Sequence, residues 1–354
     1  MTSERGTTQR LASLDGMRGV AIAIVMLGHA SGSDGGPHWA AQLLRFFPAS
    51  VGVQIFFTIS GFIITHLLIR EHAATGRVRL NQFWLRRAIR ILPPLFVLLA
   101  TLTLVAQGGW LHVSSLSQWA SVFFFRNHVS GGWFNGHLWS LSVEEQFYVC
   151  WPLVMVWLLG RRTVSGLGWI ITSVVLARFV FLQTGREGWA TYSMVGNLDG
   201  LVVGAWAAMQ LAGLATWPER LMGCLARWWI LFLPLIAAAN YLTSTRYSIW
   251  VAPVQPVMIA LLTASIIRDQ LDRNMSGLHQ LLNSTCLGYL GRMSYSVYLW
   301  QQLFLCPPGA WSISAAWFAA APWNLVCSLG AGWLSWRLIE VPGASLRSRL
   351  SKND

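Results

Sequence analysis

The sequence predicts an all-α integral membrane protein of about ten transmembrane helices, with both termini in the cytoplasm. Three observations carry this expectation: a composition too apolar for water, ten separate apolar windows, and an uneven distribution of arginine. Of the 354 residues, 55% are hydrophobic and 11% charged. Soluble domains carry roughly 25% charged residues, so this chain has too little polar surface to coat a water-soluble globule.

A bilayer core about 30 Å thick needs roughly 20 mostly apolar residues per helix. Such windows fall at 11–30, 51–69, 88–106, 138–159, 167–182, 198–211, 224–242, 250–267, 287–306 and 315–338. When they are threaded with the N-terminus inside, 20 of the 25 lysines and arginines fall in cytoplasmic loops and at cytoplasmic span ends, and only Arg45, Arg126, Arg178, Arg186 and Arg246 do not. The positive-inside rule predicts this asymmetry. It also accounts for the net charge of +12, which then implies no nucleic-acid partner and makes the lipid bilayer the expected one.

The first window begins after a polar tail, residues 1–10. It could imitate a signal peptide, but no small-residue cleavage site follows and more windows do, so it reads as a retained first helix. Between the second and third windows, 70–90 carries six arginines, the strongest cytoplasmic surface feature. Segment 107–137, rich in Gly, Ser and Trp, is too long for a tight turn, and loops of that length are often functional. Residues 11–342 are expected to form one membrane domain, followed by a polar tail, 343–354, with no appended soluble domain. The five cysteines, Cys150, Cys224, Cys286, Cys306 and Cys327, show no C-x-x-C spacing, and neither a disulfide framework nor a metal site is expected.

Ionisable side chains inside spans cost a few kcal/mol and by default face a protein interior. His29, Glu144, Glu145, Arg178, Asp199 and Glu340 are of this kind. Arg18 and His29 are eleven residues apart, close to three helical turns, which puts them on one face about 16 Å apart. The spacing fits a charged anchor plus an interfacial histidine as well as it fits a site. Glu144 and Glu145 open a helix and point about 100° apart, so they cannot share one role; helix capping is the plain alternative. Arg87 and Arg90 are i, i+3 neighbours that can clamp a phosphate through guanidinium forks or contact lipid headgroups. Pro93 and Pro94 suit an irregular helix start.

Together and in order these pieces resemble the acyltransferase-3 family: Leu14-Asp15-Gly16-Met17-Arg18-Gly19 running on to His29; Gly52 to Phe57 with Ser60-Gly61-Phe62; Phe83-Trp84-Leu85-Arg86-Arg87 to Pro94; the block 137–152; and Gly291 to Trp300 with Ile339-Glu340. The resemblance implies a ten-helix fold in the bacterial plasma membrane, a cytoplasmic acyl-CoA donor, and a hydroxyl acceptor, commonly a sugar of a cell-surface glycan. No permanently bound cofactor and no metal is implied.

On this resemblance His29 is the expected base, oriented by Glu144, with Glu145 the second acidic position. Arg18, Arg87 and Arg90 are expected to hold the coenzyme A phosphates, and His137, Trp139, Ser142 and Asp199 to contact substrate. Two departures stand out. Gln301 occupies a position that is histidine in many relatives, so catalysis is not expected to depend on it. Asn197 replaces a common arginine, which leaves Asp199 without its usual cationic neighbour. The competing class is a proton-coupled transporter in which His29, Glu144 and Asp199 form a relay.

Overall fold

A computed structural model of the chain describes residues 12–35, 42, 44, 46–160, 165–216, 218–243, 245, 248–271, 277–313 and 316–344. The tails 1–10 and 345–354 lie outside the described residues, as do Arg5, Arg10, Arg45, Arg161, Arg162, Arg246, Arg273, Arg347, Arg349 and Lys352 of the charge argument.

Every regular element among the described residues is helical. In chain order these are α1 (Ala12–Ala30), α2 (Ala49–Thr75), α3 (Leu80–Gln107), α4 (Ser115–Val122), α5 (Leu138–Leu159), α6 (Leu167–Gln183), α7 (Glu187–Tyr192) and α8 (Met194–Leu211). They continue as α9 (Glu219–Arg227), α10 (Trp229–Thr243), α11 (Ser248–Val251), α12 (Gln255–Leu271), α13 (Gly277–Leu282), α14 (Thr285–Arg292), α15 (Ser294–Phe304) and α16 (Trp323–Ser335). A π turn, Trp336–Glu340, extends α16.

Each apolar window contains helix, and α5 matches its window at both ends, but the window 250–267 is divided between α11 and α12, and α16 starts only at Trp323 of the window 315–338. Three further expectations fail in detail. The window 224–242 is two helices, α9 and α10, bent by 89°. The reason is amphipathicity: α9 buries Met222 and Leu225, three residues apart on one face, while the wholly apolar run starts only at Trp229. The window 287–306 is broken at Met293, just after Gly291 comes against the Asp15 carbonyl of α1. Pro93 and Pro94 do not start a helix; α3 begins at Leu80 and runs through them, with the Tyr295 hydroxyl donating to the Ile91 carbonyl at 2.8 Å in the distorted turn.

By length and composition α2 and α3 can each cross a membrane, and the bent pair α9–α10 would be a third span. α1 and α5, of 19 and 22 residues, are long enough. The polar side chains they carry, Asp15 and Arg18 in one and Glu144, Glu145 and Gln146 in the other, lower their apolar content. The surface displays large apolar side chains such as Trp169, Leu338, Leu104 and Leu116, each exposed by two thirds or more. Large apolar side chains exposed on several helices suit a chain whose surroundings are apolar.

α2 packs along α8, and α1 along α2 and α14. A β-carbon on Gly61 would sit 1.9 Å from the Leu201 carbonyl oxygen, and one on Gly204 would sit 2.0 Å from the Thr58 carbonyl oxygen. The two backbones therefore touch through glycine, the mode of packing that apolar solvents favour. α2 ends at Gly76, at φ 71°, and a short turn leads into α3.

Candidate functional site

At the end of the bundle where α1 and α3 begin, a cavity with an empty volume of about 790 Å³ opens between α1, α2, α3, α5 and α15. Arg18, Arg87 and Arg90 line it together with Glu144, Tyr148 and Ser60. Arg87 is held over the Tyr148 ring, 4.3 Å from its centroid, and Phe83 lies on its other flank at 5.8 Å. The Tyr148 hydroxyl hydrogen-bonds Ser60 and lies 3.4 Å from Glu144 Oε2. Arg86, next in sequence to Arg87, turns away and pairs with Glu71, as does Arg79. The i, i+3 pair is thus separated from its basic neighbours and faces a space that can hold an anion.

At the opposite end, where α1 ends and α2 begins, lies a larger cavity with an empty volume of about 1940 Å³. His29, His137, Trp139 and Gln302 line it together with Trp133, Trp189 and Tyr192. Gln301 Oε1 lies 3.0 Å from His29 Nδ1, and Gln302 Nε2 lies 3.4 Å from His29 Nε2. With Nδ1–H donating to Gln301, the imidazole keeps its Nε2 lone pair toward the cavity, under one long hydrogen bond. Trp133 meets the His29 ring edge-on at 5.8 Å. His137 is differently placed: its Nδ1 lies 2.8 Å from Gln302 Oε1 and its Nε2 lies 3.1 Å from the Leu299 carbonyl. Its two ring nitrogens thus face Gln302 and the Leu299 carbonyl, contacts within the protein on both sides of the ring.

The structure separates His29 from Glu144, which was expected to orient it. The two line different cavities, and the orienting partner of His29 is Gln301. Gln301 has no acid–base chemistry, and its side chain is placed against the His29 ring. Glu145 lines neither cavity, and its buried Oε1 has no hydrogen-bond partner; the 100° rotation between neighbours turns it off the site. Ser142 also lines neither. Its hydroxyl donates to the Leu138 carbonyl and accepts from the Arg126 backbone N–H at 3.2 Å.

Asp199 does have a cation beside it. Arg178 of α6 donates to Asp199 Oδ2 at 2.7 Å and to the Gly196 and Pro253 carbonyls. The fully buried pair lies away from both cavities. Asp199 is thus one half of a buried ion pair and lines neither cavity with His29 or Glu144. Asn197, where an arginine was expected, accepts from Gln54 of α2 at 3.0 Å.

Several site residues were not foreseen. Gln302 joins the two histidines, and Tyr148 holds Arg87. Arg126, 3% exposed, donates to the Val129, Gly131 and Gly132 carbonyls and to Asn135 Oδ1. One guanidinium thereby organises the segment 126–135, which forms a wall of the larger cavity. A lone arginine in the Gly- and Ser-rich segment 107–137 was the available signal.

The model of the acyltransferase domain matches residues 11–337. The chain is similar to the peptidoglycan O-acetyltransferase OatA of Listeria monocytogenes, 26% identical over 331 residues, which cover 84% of this chain and 49% of the relative. It is also similar to the O-acetyltransferase OatA of Staphylococcus aureus (strain NCTC 8325), 28% identical over 317 residues, which cover 82% of this chain and 50% of the relative. The chain spans about half the length of these curated relatives. No solved structure matches. The motifs at Arg18, His29, Arg87 and Glu144 and the match over 11–337 agree, and the chain belongs to the acyltransferase-3 family.

Proposed function

We propose that this chain is a multi-pass enzyme of the bacterial cell membrane, with ten spans and both termini cytoplasmic, that transfers an acyl group from cytoplasmic acyl-CoA to a hydroxyl of a cell-surface carbohydrate. The observation that carries the reading is the pair of cavities entering from opposite ends of one bundle, the first rich in arginine and the second lined by histidine and aromatic rings. Phosphates suit the first through the guanidinium forks of Arg18, Arg87 and Arg90. A sugar suits the second, where indole and phenol faces offer apolar contact and polar edges. The acetyl transfer and the peptidoglycan in the relatives' names support an acetyl group and a cell-wall glycan as the pair exchanged.

In this mechanism His29 Nε2 takes the proton of the acceptor hydroxyl as its oxygen attacks the thioester carbon, a step typically worth 10² to 10⁴-fold. The C–S bond breaks and coenzyme A leaves as the thiolate. Gln301 fixes the His29 tautomer, and Glu144 and Tyr148 keep Arg87 in place on the donor side.

The test is a reconstituted system. Purified protein in sealed vesicles should move label from acetyl-CoA on the arginine side to a glycan fragment on the histidine side, and His29→Ala should abolish this while the protein still inserts. Transfer within about threefold of wild type in His29→Ala would end the assignment of His29 as base. Reporter fusions at Thr75 and Gly277 should behave as cytoplasmic and one at Gly131 as external; a cytoplasmic signal at Gly131 would overturn the topology.

A further inference from the structure

The two cavities share a wall. Val53 and Tyr298 are the residues that line both, and because valine is short the tyrosine ring supplies most of the partition. That ring is fixed at its tip and at its faces. Its hydroxyl donates to the His137 carbonyl at 2.8 Å and lies 2.5 Å from Ser140 Oγ. The ring meets His137 edge-on at 5.2 Å and Phe56 at 6.4 Å. His137 is in turn bound by Gln302, whose amide also reaches His29. The partition between the cavities is therefore fastened on both sides, to the His137 carbonyl within the network of the histidine side and to Ser140, which lines the arginine side.

We propose that Tyr298 is a gate that decides which nucleophile reaches the thioester. In its hydrogen-bonded pose it keeps the water of the larger cavity away from the donor, and it moves aside when an acceptor disturbs the network of His29, Gln302 and His137. The proposal rests on the donor and acceptor assignment made above. Its chemistry is simple. With the wall absent, a water oxygen bonds to the acyl carbon, the C–S bond breaks, and coenzyme A leaves as a thiolate that takes up the proton water has lost. The products are a free carboxylate and coenzyme A, so a chain without the gate is a thioesterase.

The experiment reads accessibility first and hydrolysis second. In a chain whose five native cysteines are serine, Ser60→Cys places one thiol in the arginine-lined cavity. A membrane-impermeant methanethiosulfonate is added from the His29 side of sealed, oriented vesicles. Labelling should be slow with Tyr298 present and at least about tenfold faster with Tyr298→Ala. Tyr298→Phe keeps the ring volume, so it guards against misfolding as the cause, and by losing both hydrogen bonds it should label about threefold faster. Acetyl-CoA hydrolysis without acceptor should rise in the same order. Unchanged labelling in both variants overturns the gate. Faster labelling in a protein that neither transfers nor hydrolyses acyl groups keeps the gate and removes the donor assignment instead.

Discussion

Gln301 Oε1 lies 3.0 Å from Nδ1 of His29, and the pair is separated by 272 residues of sequence. The contact gives a side chain without acid–base chemistry a part in proton transfer, because the hydrogen bond on one ring nitrogen decides which nitrogen carries the lone pair. Gln301→Ala should lower kcat about tenfold at little change in either KM, as loss of orientation and not of binding. Steady-state kinetics with both substrates varied would decide it; wild-type kcat would return Gln301 to a packing role.

Arg87 and Arg90 together replaced by Gln should raise the KM for acyl-CoA by at least about a hundredfold, since each charge-assisted contact is worth roughly 1.5 to 3 kcal/mol. Lysine at both positions should recover only part of this, because an ammonium lacks the planar fork. Arg86→Gln is the control, its side chain being engaged with Glu71, and it should leave donor kinetics alone. A donor KM that ignores both arginines would reassign them to lipid headgroups.

Arg126→Gln removes the cation that gathers the Val129, Gly131 and Gly132 carbonyls. The acceptor KM should rise about tenfold while the donor KM holds, and segment 126–135 should become more sensitive to protease from outside. Equal damage to both KM values would mean that the guanidinium supports the whole bundle.

Asp199→Asn leaves Arg178 buried without its counter-ion, a change that typically costs 3–5 kcal/mol. The thermal midpoint in detergent should fall by several degrees, and the double change Arg178→Met with Asp199→Leu should restore much of it. Acyl transfer per folded molecule should be unaltered in the double variant. Loss of transfer at wild-type stability would bring Asp199 back into the chemistry.

Much of the fold was legible because apolar runs and helix length are local properties: α5 begins and ends where its hydropathy does. The breaks at Trp228 and Met293 were not legible, since each depends on what the helix packs against. The site divided in the same way. Arg18 and His29 share a helix, and Arg87 and Arg90 share a face, so periodicity found them. The partners of His29 and Asp199 lie on other helices, and sequence spacing says nothing about which helices meet. Pairing Asp199 with Arg178 was within reach, because two opposite charges in consecutive apolar windows have few other ways to be neutralised.

The glycine contacts of α2 and α8 have a mechanical consequence. With Gly61 against Leu201 and Gly204 against Thr58, a piston stroke or a roll of one helix on the other would drive side chains into backbone, so the pair behaves as a single rigid plate. Val53, Phe56 and Ser60 ride on that plate, α1 is locked to it in the same way by Gly28 against Ala49 and Gly52 against Ala21, and the motions of a catalytic cycle fall to α15, which faces it.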